Sequence, residues 1–389
     1  MWFLLFNGII YLTFKKIAFF EYLTFPIVGY ILFLKYGKKR NKINLLDLFV
    51  ILLLIWTIFT WVANFFYIKP VLIIRHIISG IAFMLFYYVG RNYEKNINIL
   101  FQKAYIPLFI CSIIGIYWYY FPPTWYTNKI LASESFSGTE NSFLELSRLR
   151  SLYPSPYEMA YMCYIVLIYM VYQISYKKCQ LQTKEKIMFV TFLITLILCM
   201  MRAPITIFIL CSLILILQNT SINKLIIIIP IISIIVISTT TYILSLLESN
   251  TYTFIYNKFI SVVYNIDGLI TNRLDYGFNF SLIGDGAGKH AIHASKYGEV
   301  SINDSEYVKY IVEQGYIGFS ILIFTILIAL YKSIKNFKYL SFEFCIILFY
   351  AITMIGANSI STADKHCFIF WLIIGRISSY NKKNKLLYI

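Results

Sequence analysis

Apolar runs long enough to cross a lipid bilayer follow one another along nearly the whole chain. Of the 389 residues, 59% are hydrophobic and 13% are charged, whereas soluble globular proteins carry about 25% charged residues. A chain of this composition cannot cover its apolar surface in water, so it requires the bilayer as its solvent. The sequence therefore predicts an all-α integral membrane protein, a single polytopic domain over residues 1–389 with about twelve spans. The predicted spans are residues 2–14, 17–34, 43–66, 71–90, 99–121, 157–175, 187–201, 204–218, 225–247, 307–331, 339–357 and 366–380.

Lysines and arginines are concentrated in alternate loops of this arrangement. The rich set is Lys35, Lys38, Lys39, Arg40, Lys42, Arg91, Lys95, Lys177, Lys178, Lys184, Lys186, Lys224, Lys332, Lys335, Lys338, Lys382, Lys383 and Lys385. The opposite short loops hold Lys15, Lys16, Lys69 and Lys365. Basic loops stay in the cytoplasm, so both termini are expected to be cytoplasmic. The net charge of +16 then reflects orientation in the membrane, and no nucleic-acid partner is expected.

Two long loops, residues 122–156 and 248–306, fall on the outer face in this topology. Most connections in compact proteins are short, so loops of this length indicate a function. Any reaction there takes place without ATP or nucleotide sugars, and its energy must already be stored in the substrate. The seven cysteines are scattered, mostly inside apolar runs, and are expected to be buried hydrophobic residues.

The first long loop ends in the segment LSRLRSLYPSPYEMAYM, which holds Arg148, Arg150 and Glu158. Arginine carries a rigid fork of donors that matches phosphate oxygens, so the two arginines are candidate phosphate ligands. Glu158 opens the next span, where a carboxylate complements the helix N-terminus. The alternative interpretation is that Glu158 is a capping charge and that both arginines are solvated.

A further arginine, Arg202, stands between two apolar runs in the segment CMMRAPITIF, and Pro204 breaks or starts a helix there. An ionisable residue at this depth is a candidate site residue, although a snorkelling arginine at a span end is the alternative.

The second long loop is polar and rich in glycine. Its ionisable residues are Arg273, Asp275, Asp285, His290, His293, Asp304 and Glu306. The segment GDGAG, with Gly284 at its start, predicts a tight turn that exposes backbone N–H groups to an anion. His290 and His293 are candidate general bases near neutral pH. Simple solvated histidines, or a metal site if the segment were helical, are the alternatives.

Four segments together resemble the bacterial O-antigen and capsular polysaccharide polymerases of the Wzy type, which are related to the O-antigen ligases. Arg273 and Gly284 are separated by ten residues, as in the family's R-x10-G pattern. INDSEYVKYIVEQGYIGF is similar to the family's entry into the following helix, with matching positions at Asn303, Tyr307, Glu313, Gly315 and Gly318. RLRSLYPSPYEMAY and MRAPITIF resemble two further family segments. This chain departs from the ligase-like pattern at Ile302, where that pattern has histidine, and has Met201 where the family has serine.

The resemblance implies a membrane glycosyltransferase of the C-type fold in the bacterial cytoplasmic (inner) membrane. Its donor would be a growing glycan on undecaprenyl diphosphate and its acceptor a single lipid-linked repeat unit. Arg148, Arg150, Arg202 and Arg273 would bind the diphosphate, while Glu158, His290 and His293 compete for the role of base. Gly284, Asn303, Glu313 and Gly318 would shape the loop. No metal or other cofactor is required, and a chain-length regulator and a flippase are the implied protein partners.

Two other functions remain open at this stage. An O-antigen ligase would use the same chemistry with a lipid A core acceptor. A flippase or other transporter would also have many spans, but such proteins connect them by short loops and keep charges within the helix bundle. The two long outer loops favour an enzyme.

Overall fold

The computed structural model describes residues 43–92, 97–131, 148–153, 155–177, 180–218, 280–291, 294–302, 305–361 and 366–380, together with the single residues Ile27, Tyr30, Ile31 and Leu34. These residues form helices and turns, and no strand occurs among them. The helices are α1 (Leu45–Ala63), α2 (Pro70–His76), α3 (Ala82–Asn92), α4 (Ile97–Tyr120), α5 (Thr124–Leu131), α6 (Pro156–Lys177), α7 (Thr183–Leu198), α8 (Arg202–Leu217), α9 (Glu306–Lys335), α10 (Phe337–Thr353) and α11 (Cys367–Ser379). A π-helical turn, Ile77–Ile81, joins α2 to α3.

Within the described ranges, five helical segments are long and apolar enough to cross a membrane. They are Leu45–Ala63, Pro70–Asn92, Phe101–Tyr120, Pro156–Tyr176 and Glu306–Lys335. Two shorter apolar helices, Arg202–Leu217 and Cys367–Ser379, accompany them. The prediction of helices long and apolar enough to span a membrane is confirmed for the described residues, whereas the number of twelve spans stays a prediction. The predicted spans 2–14, 17–34 and 225–247 lie largely outside the described residues.

Helix α6 is the most enclosed of the candidate spans, with 83% of its apolar window buried inside the protein. It packs against α4, α7, α8 and α10. Its tyrosines illustrate how a buried helix satisfies polar atoms: Tyr164 donates its hydroxyl to the Cys345 carbonyl at 3.0 Å and stacks on Phe349 with ring centroids 3.9 Å apart. Helix α6 is therefore buried by four neighbouring helices.

Helices α3 and α11 make the most extensive pairwise contact among the described helices. Two glycines make this close approach possible. A Cβ atom on Gly90 would lie 2.0 Å from the Leu372 carbonyl oxygen, and one on Gly375 would lie 2.0 Å from the Tyr87 carbonyl oxygen. Small residues of this kind let helix backbones approach closely in membranes, where packing replaces the hydrophobic effect as the driving force.

Polar groups from three helices meet at the beginning of α1. Asn44 and Asp47 form a capping box, in which each side chain accepts the backbone N–H of the other residue, at 3.2 and 2.7 Å. Asp47 also pairs with Arg91 of α3 at 2.7 Å and accepts the Tyr87 hydroxyl. Ser378 of α11 donates to Asp47 at 3.1 Å. The cap of α1 thus fixes α3 and α11 at the same end of the bundle.

Helix α9 is interrupted at Gly315, which has φ 66° and ψ −178°. The sequence predicted one continuous span over residues 307–331, so the break is a difference from the prediction. The segment around Leu282 pairs with the interrupted turn: Tyr316 and Ile317 donate their N–H groups to the carbonyls of Ser281 and Leu282, at 3.1 and 3.4 Å. These bonds replace the helical bonds lost at the break.

Candidate functional site

The segment that carries Arg148 and Arg150 is held between α4 and the end of α7. Leu149 donates its N–H to the Leu198 carbonyl at 3.1 Å, and Ser151 donates its hydroxyl to the Cys111 carbonyl. The segment lies so close to α4 that a Cβ atom on Gly115 would be 2.7 Å from the Ser151 Cβ. These contacts fix the two arginines on a rigid support, which a binding site for a charged group requires.

Arg148 and Arg150 line a pocket of about 140 Å³. Arg150 is buried, with 7% of its surface exposed, and Arg148 is half-buried. The other lining residues are Gly115, Trp118, Tyr119, Pro122, Tyr126, Thr127 and Leu149. Trp118 and Tyr126 have ring centroids 4.8 Å apart. We call this site the arginine pocket; it combines cations with flat apolar surfaces, a combination suited to a phosphorylated ligand that also carries a ring.

Glu158 lies near Tyr153, in the segment that carries the two arginines. It is in the first turn of α6, where its backbone N–H donates to the Ser155 hydroxyl at 3.3 Å, and its side chain is buried. Burial, together with the neighbouring Cys111 and Glu158, raises the pKa of Tyr153 well above its ordinary value. Tyr153 belongs to the same segment as Arg150, so the predicted acid and the predicted arginines occupy neighbouring positions.

Arg202 starts α8 and is exposed rather than part of the pocket lining. It follows a sharp turn in which Met200 has φ 52°. This turn comes directly after Leu198, the residue that anchors the arginine segment. Pro204 lies in the first turn of α8, so the prediction that it marks a helix start is confirmed.

His290 joins the second long loop to α9. Its backbone N–H donates to the Glu313 carboxylate at 2.8 Å. The ring Nδ1 lies 2.7 Å from the Val300 carbonyl oxygen, and Nε2 lies 3.3 Å from Asp285 Oδ2. Both ring partners accept hydrogen bonds, so this arrangement suits the doubly protonated imidazolium. His290 therefore links distant parts of the loop to one another. To act as a base, Nε2 has to leave Asp285 and contact a substrate group.

The charges around His290 shift its protonation. Burial lowers the pKa of His290, but the carboxylates of Asp285 and Glu313 and the Val300 carbonyl raise it more, so it lies above the ordinary 6.5. The hydrogen bond from His290 lowers the pKa of Asp285 below its ordinary 3.8.

These shifts predict a pH-dependent stability of the loop. A raised histidine pKa contributes stability that is complete below pH 6.5 and is lost as pH rises through the folded-state pKa. The Asp285 contribution is present above pH 3.8 and is lost as pH falls through its lowered pKa. The thermal stability advantage of the wild type over His290→Gln should therefore shrink as pH rises from mildly acidic to alkaline. A difference between the two proteins that stays constant with pH would contradict this assignment, and Lys184→Gln, an exposed change elsewhere, serves as the control.

The GDGAG segment forms a tight turn with φ of 80°, 105° and 87° at its three glycines. A Cβ on Gly284 would lie 2.4 Å from the Gly315 nitrogen, and one on Gly288 would lie 2.5 Å from the His76 Cβ. The N–H groups of Gly284, Asp285 and Gly286 donate to the Ser281 hydroxyl and to the carbonyls of Val312 and Glu313. The expectation that this turn offers these amides to an anion is therefore corrected: they bind α9 and the loop itself.

Glu313 and Gly318 flank the break in α9. Glu313 is buried and holds His290, as described above. Gly318 leaves room for Trp56, whose Cδ1 would lie 2.8 Å from an added Cβ. Trp56 in turn donates its indole N–H to the Gln314 carbonyl at 2.8 Å, an oxygen next to the break. Glu313 thus contacts the loop, whereas Gly318 makes room for a side chain of α1.

A buried acidic residue that the sequence pattern did not single out as functional connects α9 to the segment before α11. Glu306 accepts the N–H groups of Ser359, Ile360 and Ser361 at 2.8–3.3 Å. The Ser361 hydroxyl also bonds Glu306, and it accepts a bond from the buried Lys309. The N-cap Ser305 was a readable signal for the helix start, but no sequence pattern points to the partners more than fifty residues away.

The described candidates form two groups. Arg148, Arg150 and Glu158 belong to the arginine pocket and its neighbourhood, and His290, Glu313 and Gly284 belong to the loop beside α9. A separate polar contact links α6 to the start of α9: the Tyr161 and Ser359 hydroxyls lie 3.1 Å apart, and the Ser359 N–H donates to Glu306. The predicted residues Arg273, His293 and Asn303 lie outside the described residues.

No protein-family model matches the chain and no curated protein sequence matches it, so the function has to be inferred from the residues and their geometry.

Proposed function

We propose that this protein is a polysaccharide polymerase that joins undecaprenyl-diphosphate-linked repeat units on the outer face of the bacterial cytoplasmic membrane. The observation that carries the proposal is the arginine pocket: a buried arginine, a second arginine and aromatic rings, held at one end of apolar helices. A diphosphate joined to a sugar has the matching features, namely a compact multiple anion next to a ring with apolar faces. The resemblance of four segments to the Wzy-type polymerases supports the same assignment.

The proposed reaction is a transfer of the growing glycan. An acceptor hydroxyl oxygen forms a bond to the anomeric carbon of the donor, and the bond from that carbon to the diphosphate oxygen breaks. Undecaprenyl diphosphate leaves with the bonding electron pair, and the hydroxyl proton passes to a base. Arg150 and Arg148 stabilise the charge that develops on the leaving diphosphate. Glu158, which lies near Tyr153 of the arginine segment, is the proposed base, and its carboxylate becomes protonated in the step.

The proposed membrane arrangement has about twelve spans with both termini in the cytoplasm. It places residues 122–156 and 248–306 outside, and therefore the arginine pocket and the His290 loop as well. The donor and acceptor reach the site from the bilayer, a flippase supplies them, and a chain-length regulator is the expected protein partner. The reaction uses no nucleotide, since the donor already contains an activated glycosyl diphosphate.

The decisive experiment uses a strain that lacks the gene and compares surface glycan with lipid-linked intermediates. Surface glycan that stops at a single repeat unit supports the polymerase. Long polymer that remains on undecaprenyl diphosphate and never reaches its final anchor indicates a ligase instead. Single repeats confined to the cytoplasmic face indicate a flippase, and either of these last two results overturns the proposal.

Arg150→Lys tests the role of the arginine pocket. Lysine keeps the charge but loses the planar fork of donors, so chain extension should fall by more than about tenfold, which corresponds to about 1.4 kcal/mol in the barrier. The measurement is the glycan length distribution in the deletion strain complemented with the variant at equal protein abundance. Lys184→Gln, on an exposed surface of α7, is the control and should restore full length. Normal polymer from a well-folded Arg150→Lys protein would remove Arg150 from the site.

A further inference from the structure

Arg75 occupies a position that the proposed mechanism does not use. It lies near the end of α2, and His76 separates it from the π-helical turn Ile77–Ile81. Its NH1 atom is buried and has no hydrogen-bond partner among the described residues. A buried charged donor without a partner is costly, so such an atom requires a water, an ion or a ligand. Short π-helical turns also occur frequently at functional sites.

The surroundings of Arg75 are basic and aromatic. Its guanidinium carbon lies 5.1 Å from the centre of the Tyr297 ring, which leaves the edges of the guanidinium for other partners. Lys69 donates its ammonium group to the Tyr297 carbonyl and is exposed. In the part of the chain that the structure describes, no carboxylate pairs with Arg75 or Lys69. Arg75 and Lys69 therefore both contact Tyr297 and lack a carboxylate partner among the described residues, an arrangement that favours an anionic ligand.

The face of the helix next to Arg75 is apolar and outward-facing. Val71, Ile74 and Ile77 are 44%, 53% and 42% exposed, and they lie within about one turn of Arg75. The segment Pro70–Asn92 is one of the candidate membrane spans, and in the proposed membrane arrangement these exposed side chains face hydrocarbon. A ligand that fits both features has an anionic group at the membrane surface followed by a hydrocarbon chain.

We propose that Arg75, with Lys69 and Tyr297, binds the phosphate group of a polyprenyl diphosphate and forms a second lipid-phosphate site. This site shares no lining residue with the arginine pocket. The inference rests on the proposed function, because joining two lipid-linked glycans requires one site for each lipid diphosphate. The arginine pocket holds one diphosphate, and the Arg75 site, which uses Tyr297 of the second long loop, holds the other.

Native mass spectrometry of the purified protein counts the lipids bound per molecule, and variants of each site show where they bind. The probe is undecaprenyl diphosphate without sugars, and phosphatidylglycerol is the comparison lipid. The wild type should retain two undecaprenyl diphosphate molecules, and Arg75→Gln should retain one, with Arg150→Gln also retaining one. Lys103→Gln, an exposed cation on α4, should still retain two. Tyr297→Leu, which removes the ring beneath Arg75, should lower occupancy of the second molecule.

Two results would overturn the second site. One is that Arg75→Gln and Tyr297→Leu, both folded by thermal shift, bind as many undecaprenyl diphosphate molecules as the wild type. The other is that phosphatidylglycerol displaces the second molecule at equal concentration, which would identify a site for bulk lipid headgroups. The number of bound lipids is measured without polymer formation, so it tests the second site separately from the proposed function. Normal glycan length in the deletion strain would reject the polymerase and would not change the number of bound lipids.

Discussion

Gly315→Ala is expected to detach the second loop from α9 and to lower the stability of the whole protein strongly. Gly315 has φ 66° and ψ −178°, a backbone conformation that is essentially restricted to glycine. The backbone strain alone would cost about 1–3 kcal/mol. In addition, an alanine Cβ would lie 2.2 Å from the Leu282 carbonyl oxygen and 2.6 Å from the Ile283 carbonyl carbon. These are backbone atoms, so the overlap is relieved only if the loop moves away.

The measurement is thermal unfolding of the purified variant in detergent, combined with hydrogen exchange at the amides of Asp285, Gly286 and His290. Gly356→Ala is the matched control, because nothing lies within 4 Å of an added Cβ there and its φ is not positive. Gly315→Ala should lower the unfolding temperature and remove protection from all three amides, while Gly356→Ala should do neither. Equal behaviour of the two alanine variants would show that the break at Gly315 does not hold the loop.

The second large effect is expected at the buried ion pair between α10 and α11. Arg376 Nε and NH2 lie 3.1 and 3.0 Å from Glu343 Oε1, and both side chains are almost completely buried. Glu343→Leu leaves the guanidinium without its counter-charge, and removal of one partner from a buried pair costs about 3–5 kcal/mol. The double variant Glu343→Leu with Arg376→Met should recover most of this loss, because apolar side chains of similar size replace buried pairs well.

A double-mutant cycle of unfolding free energies measures this coupling. The expected result is that the loss of unfolding free energy in the double variant is much smaller than the sum of the two single losses, and smaller than either of them. Additive losses in the double variant would mean that the two residues stabilise the protein independently of each other. The cycle also separates the ion pair from the other contacts that Arg376 makes.

The helices were largely predictable because their signals are local. Apolar runs give the spans, and Glu158 opens α6 where the sequence places it; the cap formed by Asn44 and Asp47 is likewise a contact between residues three apart. The arginine pair was recognisable for a similar reason, since two arginines next to prolines at a span entrance are a local pattern. Its aromatic lining was not recognisable, because Trp118 and Tyr126 come from neighbouring helices and meet the arginines only in the folded protein.

The remaining features depend on contacts between distant parts of the chain. The break at Gly315 is stabilised by residues 281–286, and no apolar pattern reports that pairing. The expected role of GDGAG as an anion-binding turn failed for the same reason: glycine spacing predicts a tight turn but does not reveal which group its amides contact. Glu306 with Ser359–Ser361 and Arg376 with Glu343 are further examples in which the partner is far away in sequence.

The close contact of α3 with α11 has a consequence for how the protein is made. Gly90 faces a helix that the ribosome delivers roughly 280 residues later at a rate of about 5–20 residues per second, so its partner arrives after a delay of some 15–60 s. During this interval the surface of α3 around Gly90 meets lipid or translocation machinery in place of Leu372 on α11. The early helices are thus inserted before α11 is made. The packing of α3 is completed only when α11, the last described helix, reaches it.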